Sequence, residues 1–167
     1  VSTSWSEVVC LAVTGTPFVF DSPDLKILSR YVRSYLAGLK SLRVEVDREE
    51  CRYLDGGKGD SIIFLHGTAG SKTEWRSLMQ EYRTDYRVIA IDVPGLCISL
   101  PFRHRKHSLR QLGQWLGNMI EQLRLGKVHI MAASMGCTLG AYFAASQPER
   151  VKSLTMLGFP FQLVLPP

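Results

Sequence analysis

The chain has 167 residues, of which 46% are hydrophobic and 21% are charged, and its formal net charge is +5 at pH 7. These proportions fit one domain with a sizeable core and argue against intrinsic disorder. The charge is too mild to indicate nucleic-acid binding. No run of 18 apolar residues is present in the sequence, so we expect no transmembrane segment.

The four cysteines are widely separated and show neither a CxxC pair nor a cysteine-histidine metal spacing. They are Cys10, Cys51, Cys97 and Cys137. Reduced thiols are the simplest interpretation, which favours a cytoplasmic location. The sequence therefore predicts no metal site, and we expect no cofactor.

Residues 1–42 are predicted to form an N-terminal extension with one amphipathic helix. Ser22-Pro23-Asp24 is typical of a helix start, with Ser22 as the N-cap. The apolar residues that follow at helical spacing are Leu25, Leu28, Val32, Leu36 and Leu39. Basic residues, among them Lys40, occupy the remaining positions, so packing by one face and binding to a membrane surface both stay open.

Residues 43–167 are predicted to form the N-terminal part of a larger α/β domain. Alternation over 43–49 predicts a strand, with 51–54 as its hairpin partner and a glycine-rich turn at 55–59. Strands are then predicted at 61–67, 87–92, 128–133 and 151–157, and helices at 73–83, after Ser108 and at 136–146. This alternation indicates a mainly parallel sheet with right-handed crossovers and helices on both faces.

Ser134 follows a predicted buried strand and precedes a predicted helix. Ala132 and Gly136 flank it at two residues on either side, and small side chains there let the strand and the helix approach each other. A serine at such a corner is held in a strained turn that projects its hydroxyl beyond the carboxyl end of the sheet. Alone, this pattern also fits a serine that only caps a helix.

A second turn, His66-Gly67-Thr68-Ala69-Gly70, follows the first buried strand. A turn of this kind can direct the backbone N–H of Thr68 toward the same space as the N–H of Met135. Two converging N–H groups form an oxyanion hole. The alternative for His66-Gly67 is a simple strand-ending turn.

Four segments resemble the α/β-hydrolase family in order and spacing. They are Ile62 to Gly67, Tyr86 to Gly95, Lys127 to Gly136 and Gln147 to Leu154. The resemblance covers about residues 43 to 160 and implies a serine esterase, lipase or related hydrolase, with the α/β-hydrolase fold truncated before its last strands. It places the nucleophile at Ser134 and the oxyanion donors at Thr68 and Met135, and it makes His66, Gly67 and Gly136 the supporting residues.

The family's acid and histidine follow the serine in chain order, and this sequence supplies neither. After Ser134 it contains no histidine, and its one acidic residue, Glu149, fits a solvated turn. We therefore expect the 167-residue chain to be nearly inert and the full-length protein to be the esterase. The segment Ala133 to Gly136 also resembles the maspardin group of non-catalytic binding proteins. The predicted partner is accordingly a small-molecule ester or acyl substrate, or a protein in the alternative.

Two further patterns have competing interpretations. Gly70-Ser71-Lys72-Thr73 is similar to a phosphate-binding loop but lacks the glycine that such a loop needs before Lys72 and the one at its first position. The run from Arg103 to His107 fits a patch for acidic partners, and a solvated loop is the favoured interpretation.

Overall fold

A computed structural model of the chain describes residues 38–97 and 107–158. These residues form six strands, namely β1 (Lys40–Val46), β2 (Glu49–Gly56), β3 (Ser61–Leu65), β4 (Arg87–Ile91), β5 (Val128–Ala133) and β6 (Val151–Leu157). They make one sheet in the order β1-β2-β4-β3-β5-β6. β3 therefore lies between β4 and β5, which come later in the chain.

The described residues also contain three α-helices, α1 (Arg76–Tyr82), α2 (Leu109–Gln122) and α3 (Met135–Ser146). Short 3-10 helices lie at Lys72–Trp75 and Pro148–Arg150. The helix predicted at 73–83 is thus divided into a 3-10 turn and α1. Ser108 caps α2 through a capping box with Gln111, which confirms the predicted start of that helix.

The sheet is mixed, with its parallel part where the sequence predicts one. β3 pairs in parallel with β4 and β5, and β5 pairs in parallel with β6. β1 and β2 form an antiparallel hairpin, and β2 is antiparallel to β4. The hairpin turns at Asp47 and Arg48, which both have positive φ, 54° and 66°. A two-residue turn in which both φ angles are positive fits the right-handed twist of the flanking strands. Because Asp47 and Arg48 form this turn, β1 ends at Val46 rather than at residue 49.

Helices cover both faces of the central strands. α1 and the preceding 3-10 helix pack through Met79 and Trp75 on one face, whereas α2 and α3 cover the other through side chains such as Leu116 and Phe143. All five residues of β3 are buried, as a parallel strand between two helical layers requires. The predicted fold class is confirmed by this arrangement.

The start of β1 corrects the helical pattern predicted before it. Gly38 has a φ of +72°, which ends any helix there, and Lys40 already belongs to β1. Leu39 is fully buried among Leu54, Phe64 and Val88 rather than on a helix. The rest of the predicted helix, from Ser22 to Leu36, lies outside the described residues. The predicted division of the chain at residue 42 falls inside β1.

Within residues 38–97 and 107–158, no helix combines the length and the apolar character that crossing a membrane requires.

Candidate active site

The sheet topology brings two loops together at the carboxyl ends of neighbouring strands. β3 and β5 lie side by side, with Leu65 paired to Ala132 at their ends. The chain leaving β3 turns to the α1 face, and the chain leaving β5 enters α3 on the opposite face. Such a switch point opens a crevice at the edge of a parallel sheet, where ligands of α/β proteins bind.

Ser134 lies at this edge, between the last residue of β5 and the first residue of α3. Its φ of +48° and ψ of −121° fall in a region that side-chain-bearing residues rarely adopt, which costs about 1–3 kcal/mol. Backbone bonds hold it there: its N–H donates to the Leu157 carbonyl at 3.0 Å, and its carbonyl accepts from Cys137 N–H at 2.9 Å. The residue is exposed, and its hydroxyl makes no capping bond.

Two glycines allow the Ser134 corner to sit tightly against the end of β3. A Cβ placed on Gly67 would lie 2.9 Å from Ser134 Cβ and 3.4 Å from Ser134 Oγ. A Cβ on Gly136 would lie 2.5 Å from the Leu65 carbonyl oxygen and 2.7 Å from that of His66. Only a hydrogen side chain fits at these separations, so the packing itself demands glycine at both positions.

The turn after β3 uses two of its N–H groups for hydrogen bonds within the protein. Gly70 N–H donates to the Gly67 carbonyl at 3.1 Å, and Ala69 N–H donates to the Leu96 carbonyl at 2.8 Å. Thr68 N–H has no acceptor among the residues that the structure describes. Met135 is the first residue of α3, where an N–H has no intrahelical acceptor. The convergence of these two N–H groups on one oxygen stays a prediction.

His66 is fully buried, and backbone atoms occupy both of its ring nitrogens. Nε2 accepts a hydrogen bond from Val93 N–H at 3.0 Å, so the proton of the neutral ring lies on Nδ1. Nδ1 then donates to the Gly67 carbonyl at 2.7 Å. In this geometry neither nitrogen can accept a proton from Ser134, and the imidazole connects the turn after β3 to the segment after β4.

A buried ion pair lies next to this histidine. Asp92 has no exposed surface, and its carboxylate accepts both the backbone N–H of Lys72, at 2.8 Å, and the Lys72 ammonium. The sequence offered Lys72 only as part of a phosphate-binding-loop pattern and gave no role to Asp92. The available signal was Asp92 itself, a carboxylate directly after the buried strand β4. The pairing shows that Lys72 points into the protein rather than toward a bound phosphate.

The donor atoms of His66, Asp92 and Cys97 lie within 4.8 Å of one another, which is a spacing that a metal ion could use. The contacts already described argue against a metal ion at this position. Both imidazole nitrogens of His66 are engaged by the backbone, and the Asp92 carboxylate is neutralised by Lys72. A cation would have to displace all of these bonds to find its ligands.

Glu149 and Ser134 lie at opposite ends of the strands: Glu149 is at the amino-terminal end of β6, and Ser134 is at the carboxyl end of β5. Glu149 belongs to the 3-10 helix before β6 and lines an open cavity of about 430 Å³ together with charged residues such as Lys127 and Arg150. This cavity adjoins the amino-terminal ends of β5 and β6, and Ser134 does not line it. The predicted role of Glu149 as a solvated turn residue agrees with its exposure.

Three of the four cysteines, Cys51, Cys97 and Cys137, lie in the described ranges, and all three are buried. Burial raises the pKa of the Cys51 thiol to about 12 and also raises the pKa of Cys137. Protonated thiols are poor nucleophiles, so these two cysteines do not compete with Ser134 for that role. Cys10 and residues 103–106 of the basic run lie outside the described residues.

Known proteins match this arrangement in sequence and in structure. The family model described as alpha/beta hydrolase fold matches residues 60–165. A 2-hydroxy-6-oxononadienedioate/2-hydroxy-6-oxononatrienedioate hydrolase of Escherichia coli is 30% identical over 135 residues, which are 78% of this chain and 44% of that protein. A dihydrolipoyllysine-residue acetyltransferase component of the acetoin cleaving system of Cupriavidus necator is 28% identical over 114 residues, covering 68% of this chain and 30% of that protein.

The solved structure of a membrane phospholipase A aligns with a TM-score of 0.74 and 30% identity, covering 89% of this chain and 49% of the other. The chain therefore spans less than half the length of these curated relatives and about half of the solved one. The match to the family model extends over more than half of the chain and includes both loops of the crevice. The chain belongs to the α/β-hydrolase-fold family.

Proposed function

We propose that this chain carries the nucleophile and oxyanion hole of a serine hydrolase that cleaves carboxylic esters. Ser134 Oγ attacks the ester carbonyl, and the backbone N–H groups of Thr68 and Met135 stabilise the oxyanion that forms. The observation that carries the proposal is the strained, exposed backbone of Ser134 directly against Gly67. A residue that only capped a helix would not need a φ of +48° or a hydroxyl free of capping bonds.

The oxyanion hole is supported by the hydrogen bonds around the two donors. Ala69 and Gly70 use their N–H groups inside the protein, whereas Thr68 between Gly67 and Ala69 keeps its N–H free among the described residues. Met135 adds a second free N–H at the positive end of the α3 dipole. Fixed donors of this kind stabilise a developing negative charge without reorganising during the reaction.

The base and the acid must come from residues other than those described near Ser134. Both ring nitrogens of His66 are engaged in hydrogen bonds, and Glu149 lies at the opposite, amino-terminal end of the strands. Because the chain spans about half or less of its relatives, we assign both groups to the full-length protein. Ester substrates are favoured because the solved relative with 30% identity is a phospholipase A.

The test is labelling of the full-length protein with a fluorophosphonate probe, followed by mapping of the modified residue. We expect the label on Ser134 and its loss in Ser134→Ala. Ser153→Ala is the matched control, because Ser153 is also exposed and its hydroxyl lies 2.8 Å from Nδ1 of His129. That serine has a neighbouring histidine but no strained corner and no glycine turn, so its loss should leave labelling unchanged.

Absence of labelling at Ser134 in the full-length protein would refute the proposal and favour the non-catalytic binding protein. The 167-residue chain provides a second comparison with p-nitrophenyl butyrate as substrate. Without a base, the oxyanion hole alone gives residual catalysis on the order of a thousandfold over water, far below a working esterase. Strong turnover by the chain that Ser134→Ala abolishes would show that the base lies within these residues.

A further inference from the structure

The Lys72–Asp92 ion pair is unusual because both of its side chains are almost completely buried. The side chain of Lys72 is 11% exposed and that of Asp92 is fully buried. Removing an ammonium and a carboxylate from water costs several kcal/mol for each, which a well-formed pair only just recovers. Two apolar side chains would stabilise the core at least as well, so stability alone does not explain why this pair is present.

The position of the pair suggests what it does. Lys72 lies two residues after the Gly67–Gly70 turn that carries Thr68, and Asp92 follows directly after β4. Three connections join the turn to the segment after β4: His66 Nε2 to Val93 N–H, Ala69 N–H to the Leu96 carbonyl, and Lys72 to Asp92. His66 holds the start of the turn, Ala69 its middle and Lys72 its end.

The two bonds from Lys72 differ from the other connections in their geometry. Its backbone N–H and its ammonium reach the two oxygens of one carboxylate, so that both the main chain and the side chain of Lys72 are held. Charge-assisted bonds in a dry interior are stronger than neutral ones. The opposite end of the turn, at Gly67, touches the Ser134 side chain. The turn thus lies between Lys72 at one end and Ser134 at the other.

We propose that Lys72 is a positioning residue of the oxyanion hole: its ion pair with Asp92 holds the Gly67–Gly70 turn at the distance from Ser134 at which Thr68 N–H meets the oxyanion. This inference rests on the proposed function. The hydrogen bonds of Lys72 go to Asp92, so in this proposal it acts through the turn. Loss of the ion pair should thus weaken transition-state stabilisation and leave ground-state binding nearly intact.

The experiment compares Lys72→Met with wild type in the full-length protein, using p-nitrophenyl butyrate. Methionine keeps the length and apolar stem of lysine and removes the ammonium. Loss of one oxyanion donor costs about 100- to 1,000-fold in kcat, and a displaced donor costs less. We expect kcat to fall at least about tenfold with KM within about twofold. Lys152→Met is the control, since Lys152 forms an ion pair of 2.6 Å with Asp60 away from the crevice.

The double variant Lys72→Met with Asp92→Asn covers the case in which Lys72→Met does not fold. It leaves no unpaired buried charge, so its stability should lie closer to wild type than that of the single variant. Its kcat should still be low, because the ammonium bond is missing. Amide hydrogen exchange gives a readout independent of turnover: the N–H groups of Ala69 and Gly70 should exchange faster in both variants than in wild type.

The outcomes separate this inference from the proposed function. If wild type is labelled at Ser134 and folded Lys72 variants keep the wild-type kcat, the inference is overturned while the proposed function stands. If wild type shows neither labelling nor turnover, the proposed function fails and the positioning role fails with it. Unchanged exchange at Ala69 and Gly70 in the folded variants would also overturn the inference, since the turn would then be held without Lys72.

Discussion

Replacing Gly136 by alanine tests the tight contact on which the whole site is built. The added Cβ would lie 2.5 Å from the Leu65 carbonyl oxygen, about 0.9 Å short of an ordinary contact, and 2.7 Å from that of His66. Both oxygens belong to the backbone at the end of β3 and cannot move by a side-chain rotation. Overpacking of this kind costs about 1–3 kcal/mol, and for a chain of this size each kcal/mol lowers Tm by roughly 2–4 °C.

Gly140→Ala is the matched control because it makes the same substitution one turn later in the same helix. Its Cβ would meet Leu154 Cδ1 at 3.0 Å, and that atom is the end of a flexible side chain. Alanine is favoured over glycine in a helix interior by up to about 1 kcal/mol, so this variant should match wild type or exceed it. Thermal unfolding followed by circular dichroism measures both variants.

Gly136→Ala should also affect the candidate site itself. Pushing the start of α3 away from β3 separates Met135 N–H from the turn at Gly67, so fluorophosphonate labelling of Ser134 should slow in any folded Gly136→Ala protein. Equal Tm values for Gly136→Ala and Gly140→Ala, together with equal labelling rates, would contradict this prediction. They would show that α3 can move away from β3 at little cost and that close packing does not fix the site.

Two further outcomes are expected from the core and the sheet. Asp55 raises the pKa of Arg87 through two short bonds, of 3.1 and 2.6 Å, in a partly buried setting. Asp55→Asn should therefore lower the unfolding free energy by about 1–3 kcal/mol in urea titrations. Glu50→Gln should have no measurable effect, because the ion pairs of Glu50 with Arg52 and Arg43 are exposed. A larger loss from Glu50→Gln than from Asp55→Asn would contradict this ranking. The Cys51 thiol has its pKa raised by burial from 9.0 to about 12, so the unfolded chain releases this proton first and stability falls as pH rises from about 9 toward 12. Cys51→Ala should reduce that slope by about 1.4 kcal/mol per pH unit at most, and identical slopes in the two proteins would refute the assignment.

Local patterns in the sequence predicted the elements that carry the site. The apolar run of β3 and the small residues around Ser134 allowed the strand-to-helix corner to be placed at its correct position, because short-range sterics require those residue types there. The capping box at Ser108 was readable for the same reason, since its partner lies three residues away. Helical spacing alone predicted Leu39 as part of a helix, but in the structure Leu39 precedes β1 and is buried in the core.

The sequence by itself determined the family, the strand-helix alternation and the residue at the corner, because each depends on neighbours within a few positions of the chain. Only the tertiary structure decided that His66 has both nitrogens engaged, that Lys72 turns inward to Asp92, and that Ala69 N–H binds the Leu96 carbonyl. Apart from the bond between His66 Nδ1 and the adjacent Gly67 carbonyl, those contacts join residues 20 to 27 positions apart, across two strands that pair in parallel. Sequence patterns do not show which polar groups become hydrogen-bond partners once the sheet forms, and these long-range bonds join the turn after β3 to the segment after β4.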